Sequence, residues 1–226
     1  MTTERNDNPS PGPFSPDEGE FPGVTREQMR AGLEVIFIDK NLEDSVRRTL
    51  VTPPEILTVG DLERLIRLDT YGERIEDLEG LDQAVNLTSL NLSGTPISDL
   101  SPLASLINLR NLDLGGTQVS DLTSLASLTD LASLNLNGTP ISDLGPLGAL
   151  SHLASLSLNG TPVKDLSPLE PLTNLRSLSL LRSSVRDLGP LASLNGLTSL
   201  DLDETPIRDL GPLASLTELT SLTLAG

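Results

Sequence analysis

The sequence predicts an α/β repeat fold: a right-handed β–α superhelix with a parallel sheet on its concave side, short 3-10 turns on its convex side and a helical N-terminal cap. Two observations support this prediction. The chain matches itself at an offset of 22 residues from Leu87 to Leu219. Aromatic residues make up 2% of the 226 residues, and Tyr71 is the last of them. A core built almost wholly from leucine indicates identical layers stacked in register.

The repeats account for most of the chain. The first, from Leu87, reads LTSLNLSGTPISDLSPLASLIN and has the L-x-x-L-x-L opening of a leucine-rich repeat, which supplies one short strand and one returning turn. A degenerate copy precedes it from Leu65, and a partial copy begins at Leu219. Because one unit cannot bury its own leucines, neighbouring units must stack. The six full repeats begin at Leu87, Leu109, Leu131, Leu153, Leu175 and Leu197.

Two polar columns recur with the same period, and we interpret both as structural. Hydroxyl residues follow each strand and are expected to bond to the backbone where the chain turns: Thr95, Thr117, Thr139, Thr161, Ser183 and Thr205. A hydroxyl-lined ligand site is the alternative for that column. An aspartate before each L-x-x-L segment, which has proline at its third position in five of the seven copies, is expected to cap a helical turn, and a ladder of calcium ligands is the alternative: Asp77, Asp99, Asp121, Asp143, Asp165, Asp187 and Asp209.

The segment before the repeats predicts a helical cap over residues 25–64. Thr25 to Gln28 forms a capping box, Leu42, Val46 and Leu50 share one helical face, and Thr58 begins a third short helix. These helices would cover the first layer of the solenoid over residues 65–226. Residues 1–24 are acidic and rich in proline and glycine, so we expect a disordered tail there.

Composition excludes several classes of function. The net charge of −17 disfavours nucleic acid as a partner, and no apolar run predicts membrane insertion. The N-terminus has no signal-peptide pattern, which favours a cytoplasmic location, with export by a signal-less route as the alternative. We predict that the chain is not an enzyme, with neither cofactor nor metal, since its single histidine, His152, lies at an exposed loop position.

The chain resembles the internalin-like group of bacterial leucine-rich repeat proteins. The resemblance rests on the 22-residue units, on Asp39, Leu42, Val46 and Leu50 in the cap, and on the I-x-D-L-x-x-L segment from Ile75 to Leu81. It implies a scaffold that serves adhesins, effectors and the regulatory subunit of a serine/threonine phosphatase. The signal peptide, immunoglobulin-like region and wall anchor usual in the group are not seen, and the chain stops just after Leu224, which suggests a truncated form.

These features predict a module that binds an unidentified protein, with a structural or spacer array, or a regulatory subunit of an enzyme such as a protein phosphatase, as alternatives. The concave column is mostly small and polar. Its one anomaly is the group Leu181, Arg182, Asp201, Asp203 and Glu204, which we predict to be a charged recognition patch with an exposed apolar anchor. Drift of the repeat with a surface ion pair is the other interpretation. The uncapped C-terminal repeat predicts self-association.

Overall fold

A computed structural model describes residues 26–51 and 56–225. Three short helices come first: α1 at Arg26–Ala31, α2 at Lys40–Leu50 and α3 at Val59–Leu62. They lie where the sequence predicted helices. The predicted tail over residues 1–24 and the capping residue Thr25 lie outside the described residues.

The repeats form one sheet of eight parallel strands in sequence order, β1 to β8. Each strand pairs with its equivalent in the next repeat, so that Leu68 lies beside Leu90 and Leu90 beside Leu112. The predicted register is therefore confirmed. The strands are Arg67–Asp69, Ser89–Asn91, Asn111–Asp113, Ser133–Asn135, Ser155–Ser157, Ser177–Ser179, Ser199–Asp201 and Ser221–Thr223.

Short 3-10 turns return the chain on the convex side, as predicted. Leucines that point inward from the strands and from the turns fill the space between the sheet and the convex side. The inward leucines of β1 to β7 are at most 2% exposed. Each contributes to a single continuous core, because the equivalent positions of the neighbouring repeats carry the same side chain. The turns are Leu81–Gln83, Ser101–Ser105, Thr123–Ser127, Gly145–Ala149, Ser167–Leu169, Gly189–Ser193 and Gly211–Ser215.

Helix α2 covers the first layer of the core. Leu42 and Val46 are fully buried on its inner face. The Asp39 carboxylate accepts the N–H groups of Asn41 and Leu42 at the start of the helix, and its other oxygen accepts the N–H of Glu76 at 2.7 Å. Asp39 therefore both caps the helix and fixes it to the first repeat.

The aspartate column caps the 3-10 turns, as predicted. In the six full repeats the carboxylate accepts, at 2.8 Å, the N–H of the first residue of the turn. The aspartate lies two residues before that donor, one position earlier than the residue at which helices are usually capped. In the degenerate copy, Asp77 accepts the N–H of Glu79 instead.

The hydroxyl column also bonds to the backbone, with one exception. Thr95, Thr117, Thr139 and Thr161 are buried, and each donates to the carbonyl three residues earlier at 2.6–2.7 Å. The expectation is wrong at Ser183, whose buried hydroxyl has no hydrogen-bond partner. Serine lacks the γ-methyl that fixes the rotamer of threonine, so its hydroxyl is not directed at the carbonyl of Leu180.

Candidate functional site

The concave surface is formed by the residues that flank the inward leucine of each strand. Ser89 and Asn91 flank Leu90, and both are partly exposed while Leu90 is 1% exposed. Strands β4 to β7 repeat this pattern, with serine at the first position throughout. The result is a continuous surface of small polar side chains.

Hydrogen bonds between neighbouring strands already occupy many of these polar groups. The Asn91 amide donates to Asp69 at 3.0 Å, and the Asn135 amide donates to Asp113 at 2.9 Å. Towards the C-terminal end, the Ser179 hydroxyl contacts Asp201 at 3.1 Å. Because these groups satisfy one another, the middle of the sheet offers a partner few unpaired donors or acceptors.

The predicted patch lies near the C-terminal end of the repeat array, in β7 and in the turns that follow β6 and β7. Arg182 and Glu204 occupy equivalent positions in neighbouring repeats. The guanidinium donates to the two carboxylate oxygens at 2.8 Å from Nε and 2.7 Å from Nη2. Both side chains of this pair are exposed. The hydrogen bonds and the charge of Arg182 hold the pKa of Glu204 below its ordinary value.

Both residues of the pair adopt left-handed backbone conformations, with φ of 57° at Arg182 and 52° at Glu204. The equivalent residues of the preceding repeats are glycines with φ of 67–73°: Gly94, Gly116, Gly138 and Gly160. Non-glycine residues are uncommon there because their Cβ approaches the backbone. These two repeats therefore carry charged side chains at a position where the turn favours glycine.

The other three patch residues are more enclosed than the sequence suggested. Leu181, the expected apolar anchor, is partly buried, and its carbonyl accepts the N–H of Gly160 in the preceding repeat at 2.7 Å. Asp203 accepts the N–H of Ala225 at 2.6 Å. Burial raises the pKa of Asp201, but hydrogen bonds from Thr223, the N–H of Asp203 and Ser179 outweigh this effect and lower it overall. Asp201 thus binds the last strand to the sheet, and Asp203 binds the residue Ala225 that follows it.

Comparison with solved structures identifies the family. The chain matches the structure of internalin C2 from Listeria monocytogenes with 33% identity and a TM-score of 0.80, over 84% of this chain and 88% of that one. The chain belongs to the internalin-like family of bacterial leucine-rich repeat proteins. Its helical cap and 22-residue units are therefore those of an internalin-like scaffold.

Further matches agree with the internalin-like assignment. A second internalin of Listeria monocytogenes, InlF, is 33% identical over 84% of this chain and 69% of that one, with a TM-score of 0.64. A leucine-rich repeat protein of Leptospira interrogans is 25% identical over 74% of this chain and 44% of that one, with a TM-score of 0.70. The family model for leucine-rich repeats in two copies matches residues 85–127 and 107–149. No curated protein matches the sequence.

One exposed aromatic residue was missed by the sequence analysis of this internalin-like chain. Tyr71 follows β1 at the N-terminal end of the concave surface and is 74% exposed. Arg67, in the same strand, is also exposed. The repeat period places Tyr71 on the concave surface, since it precedes the concave residue Ser93 by 22 residues.

The described residues show neither a metal-binding cluster nor a membrane-spanning helix. Over residues 26–51 and 56–225, no group of three or more His, Asp or Glu side chains is placed to hold a metal ion. His152 is largely exposed, and its Nδ1 lies 2.9 Å from the carbonyl of Thr129. None of the helices in these ranges is long and apolar enough to cross a membrane.

Proposed function

We propose that this internalin-like chain is a non-catalytic module that binds another protein on its concave surface. The observation that carries the proposal is the combination of an open eight-stranded sheet with Tyr71, an exposed aromatic side chain, at one end of it. Tyrosine and arginine are enriched among the residues that dominate binding energy, and both occur beside β1. The likeness to internalins supports the same conclusion.

Binding energy is expected at the two ends of the concave surface. Tyr71 supplies an amphipathic ring at the N-terminal end, and Arg67 supplies a cation that forms no ion pair within the described residues. The Arg182–Glu204 pair supplies an exposed charged group at the other end. Strands β1 and β7 are six steps apart, or about 29 Å at roughly 4.8 Å a step. A partner that touches both ends would span an interface of ordinary size, and the small polar residues between would allow close approach.

The test is affinity capture from a lysate of the native organism, followed by binding measurements with the purified partner. Tyr71→Ala removes the aromatic anchor, and R182E/E204R exchanges the charges of the pair without changing net charge. The matched control is R48E/E73R, since Arg48 and Glu73 form a comparable surface pair at 2.6 Å that joins α2 to the first repeat. We expect weaker binding in the first two variants and none of that loss in the control.

A spacer array without a dedicated ligand is the second candidate, and the mutual hydrogen bonding of the concave side chains favours it. In that case no protein would be retained, or all three variants would retain the same proteins equally. A regulatory subunit of an enzyme is a special case of the first proposal. Capture of an enzyme, such as a protein phosphatase, as the partner would indicate this role.

We also propose that a polypeptide of these 226 residues self-associates through its last layer. Leu210, Leu222 and Leu224 are 43%, 40% and 49% exposed there, whereas the equivalent leucines of the inner repeats are buried. An open layer also presents an unpaired strand edge. Sedimentation at several concentrations should show association that Leu222→Lys reduces. A monomer at all concentrations would contradict the proposal.

A further inference from the structure

A column of cations runs along the outer surface of the last repeats. The residue that precedes each capping aspartate changes along the chain from Glu76 through three serines to Lys164, Arg186 and Arg208. We call these last three residues the basic stripe. All three are exposed. They occupy equivalent positions in consecutive repeats, so they stack in consecutive layers of the solenoid.

The basic stripe has no partner among the described residues. In the part of the chain that the structure describes, none of its three side chains forms an ion pair or a hydrogen bond. The adjacent carboxylates are already occupied, since Asp165, Asp187 and Asp209 accept backbone N–H groups at the start of the 3-10 turns. In a chain with 32 acidic and 15 basic residues, three stacked cations without a partner are unusual.

The other unpaired cations of the repeats do not stack. Arg67, Arg74 and Arg110 are also exposed and make no ion pair within the described chain, but each lies at a different position of the repeat unit. Arg182, in contrast, is bound by Glu204, and Arg176 donates to the carbonyl of Gly196. Among the described repeats, only the basic stripe places several free cations in line.

We propose that the basic stripe binds an acidic helix of a partner protein, which lies along the solenoid axis. Successive layers are about 4.7–4.9 Å apart at the strands. Carboxylates one helical turn apart repeat every ~5.4 Å. Alternate residues of an extended strand repeat every ~6.6 Å. The layers diverge from the concave sheet towards the outer surface, which brings the spacing of the stripe from the strand value towards the helical one, and flexible Lys and Arg side chains absorb the remaining difference.

The charge of the whole molecule argues against nucleic acid as the occupant. The stripe is only three cations long, and the field of a protein with net charge −17 repels a dense row of phosphates. A short acidic helix needs just two or three carboxylates at the stripe and can keep its other faces neutral. This surface lies outside the concave face, so the inference does not depend on the proposal made for Tyr71.

The probe is an alanine-based helical peptide with glutamates at its fifth, ninth and twelfth positions, which share one face. A second peptide of the same composition carries its glutamates on three different faces. Fluorescence anisotropy would measure binding of both peptides at low and high salt. We expect the first peptide to bind more tightly than the second and to weaken as salt screens the charges.

The protein variants separate the stripe from net charge. K164E/R186E/R208E reverses the stripe, and R64E/R74E/R110E makes the same change of net charge at exposed, unstacked positions outside the proposed concave site. The stripe variant should lose affinity by roughly tenfold, since each exposed pair contributes little alone, and the control should keep it. Melting curves check that both variants fold, and K164Q/R186Q/R208Q should reproduce the loss without reversed charges.

Three results would overturn the proposal: absence of binding to the wild type, equal loss in the two charge-reversed variants, or equal affinity for the two peptides. Tighter binding of a single-stranded oligonucleotide than of the acidic helix, lost in the stripe variant, would also overturn it and assign the stripe to nucleic acid.

Discussion

The guanidinium of Arg182 donates two hydrogen bonds to the carboxylate of Glu204, at 2.8 and 2.7 Å, and both residues have a left-handed backbone. The turn is the same one that glycine forms in four earlier repeats. An exposed ion pair contributes little to stability, whereas a left-handed backbone is unfavourable for residues with a Cβ. The pair therefore does not explain why these two repeats lack glycine, which is consistent with a role in binding.

Replacing both residues with glycine should stabilise the protein. R182G/E204G removes two unfavourable backbone conformations and one weak surface pair, so we expect the Tm to rise by roughly 2–4 °C. The opposite change, Gly138→Ala, should lower the Tm. An added Cβ would meet no atom within 4 Å, so the whole cost comes from the φ of 67°. A lower Tm in the double variant would show that the ion pair outweighs the backbone effect.

The aspartate column should act as a set of caps and not as a calcium site. Asp143→Ala removes the carboxylate that accepts the Gly145 N–H at 2.8 Å, and we expect the free energy of unfolding to fall by about 0.5–2 kcal/mol. Thermal unfolding with and without calcium checks this. If calcium raises the Tm of the wild type and not that of the variant, the capping interpretation is wrong.

The same column makes stability depend on pH. The hydroxyls of Thr123 and Ser167, followed by the backbone N–H groups of these residues, hold the pKa values of Asp121 and Asp165 below the ordinary range. Above about pH 3.9, the ordinary aspartate pKa, both carboxylates are ionised and their contribution is complete. As the pH falls, the unfolded chain takes up protons first, so the contribution is lost on the acid side.

The double variant D121N/D165N tests this dependence. Asparagine can accept the same hydrogen bonds but does not titrate. The Tm of the variant should therefore fall less steeply than that of the wild type as the pH is lowered below about 4. Identical slopes would show that these two carboxylates do not contribute to the acid sensitivity.

Burial should determine the cost of losing a strand leucine. Leu156 in β5 is 1% exposed and Leu222 in β8 is 40% exposed, although they occupy the same position of the repeat. Leu156→Ala should cost about 2–5 kcal/mol, because it leaves a cavity between two layers. Leu222→Ala should cost much less. Urea unfolding of both variants measures the difference, and equal costs would mean that the last layer is as well packed as the centre.

The repeat period alone was enough to predict the strands, their register, the inward leucines and the capping aspartates, because each depends on contacts between identical layers. The same period predicts the contact between Arg182 and Glu204, since Glu204 lies one unit later. It also predicts that Lys164 and Arg186 are aligned in neighbouring layers. The partial burial of Leu181 could not be predicted in this way, because it depends on how two dissimilar turns pack. Nor could the missing hydrogen bond of Ser183, which depends on a side-chain rotamer.

The hydroxyl column offers a last prediction that compares two equivalent sites. The buried Ser183 hydroxyl has no partner, whereas Thr161 donates to the carbonyl of Leu158 at 2.7 Å. Removing an unsatisfied buried hydroxyl loses no hydrogen bond, so Ser183→Ala should leave the free energy of unfolding unchanged or raise it. Thr161→Val keeps the shape of the side chain but loses a bond, and should lower that free energy by about 1 kcal/mol.

Ser183→Thr completes the comparison. It restores the side chain of the other repeats, which fixes the hydroxyl towards the carbonyl of Leu180, and the free energy of unfolding should rise by about 0.5–1.5 kcal/mol. Chemical denaturation of all three variants provides the values. A clear loss of stability in Ser183→Ala would mean that the hydroxyl is bonded in solution, to water or to a bound partner, because an unbonded group in this position has nothing to lose.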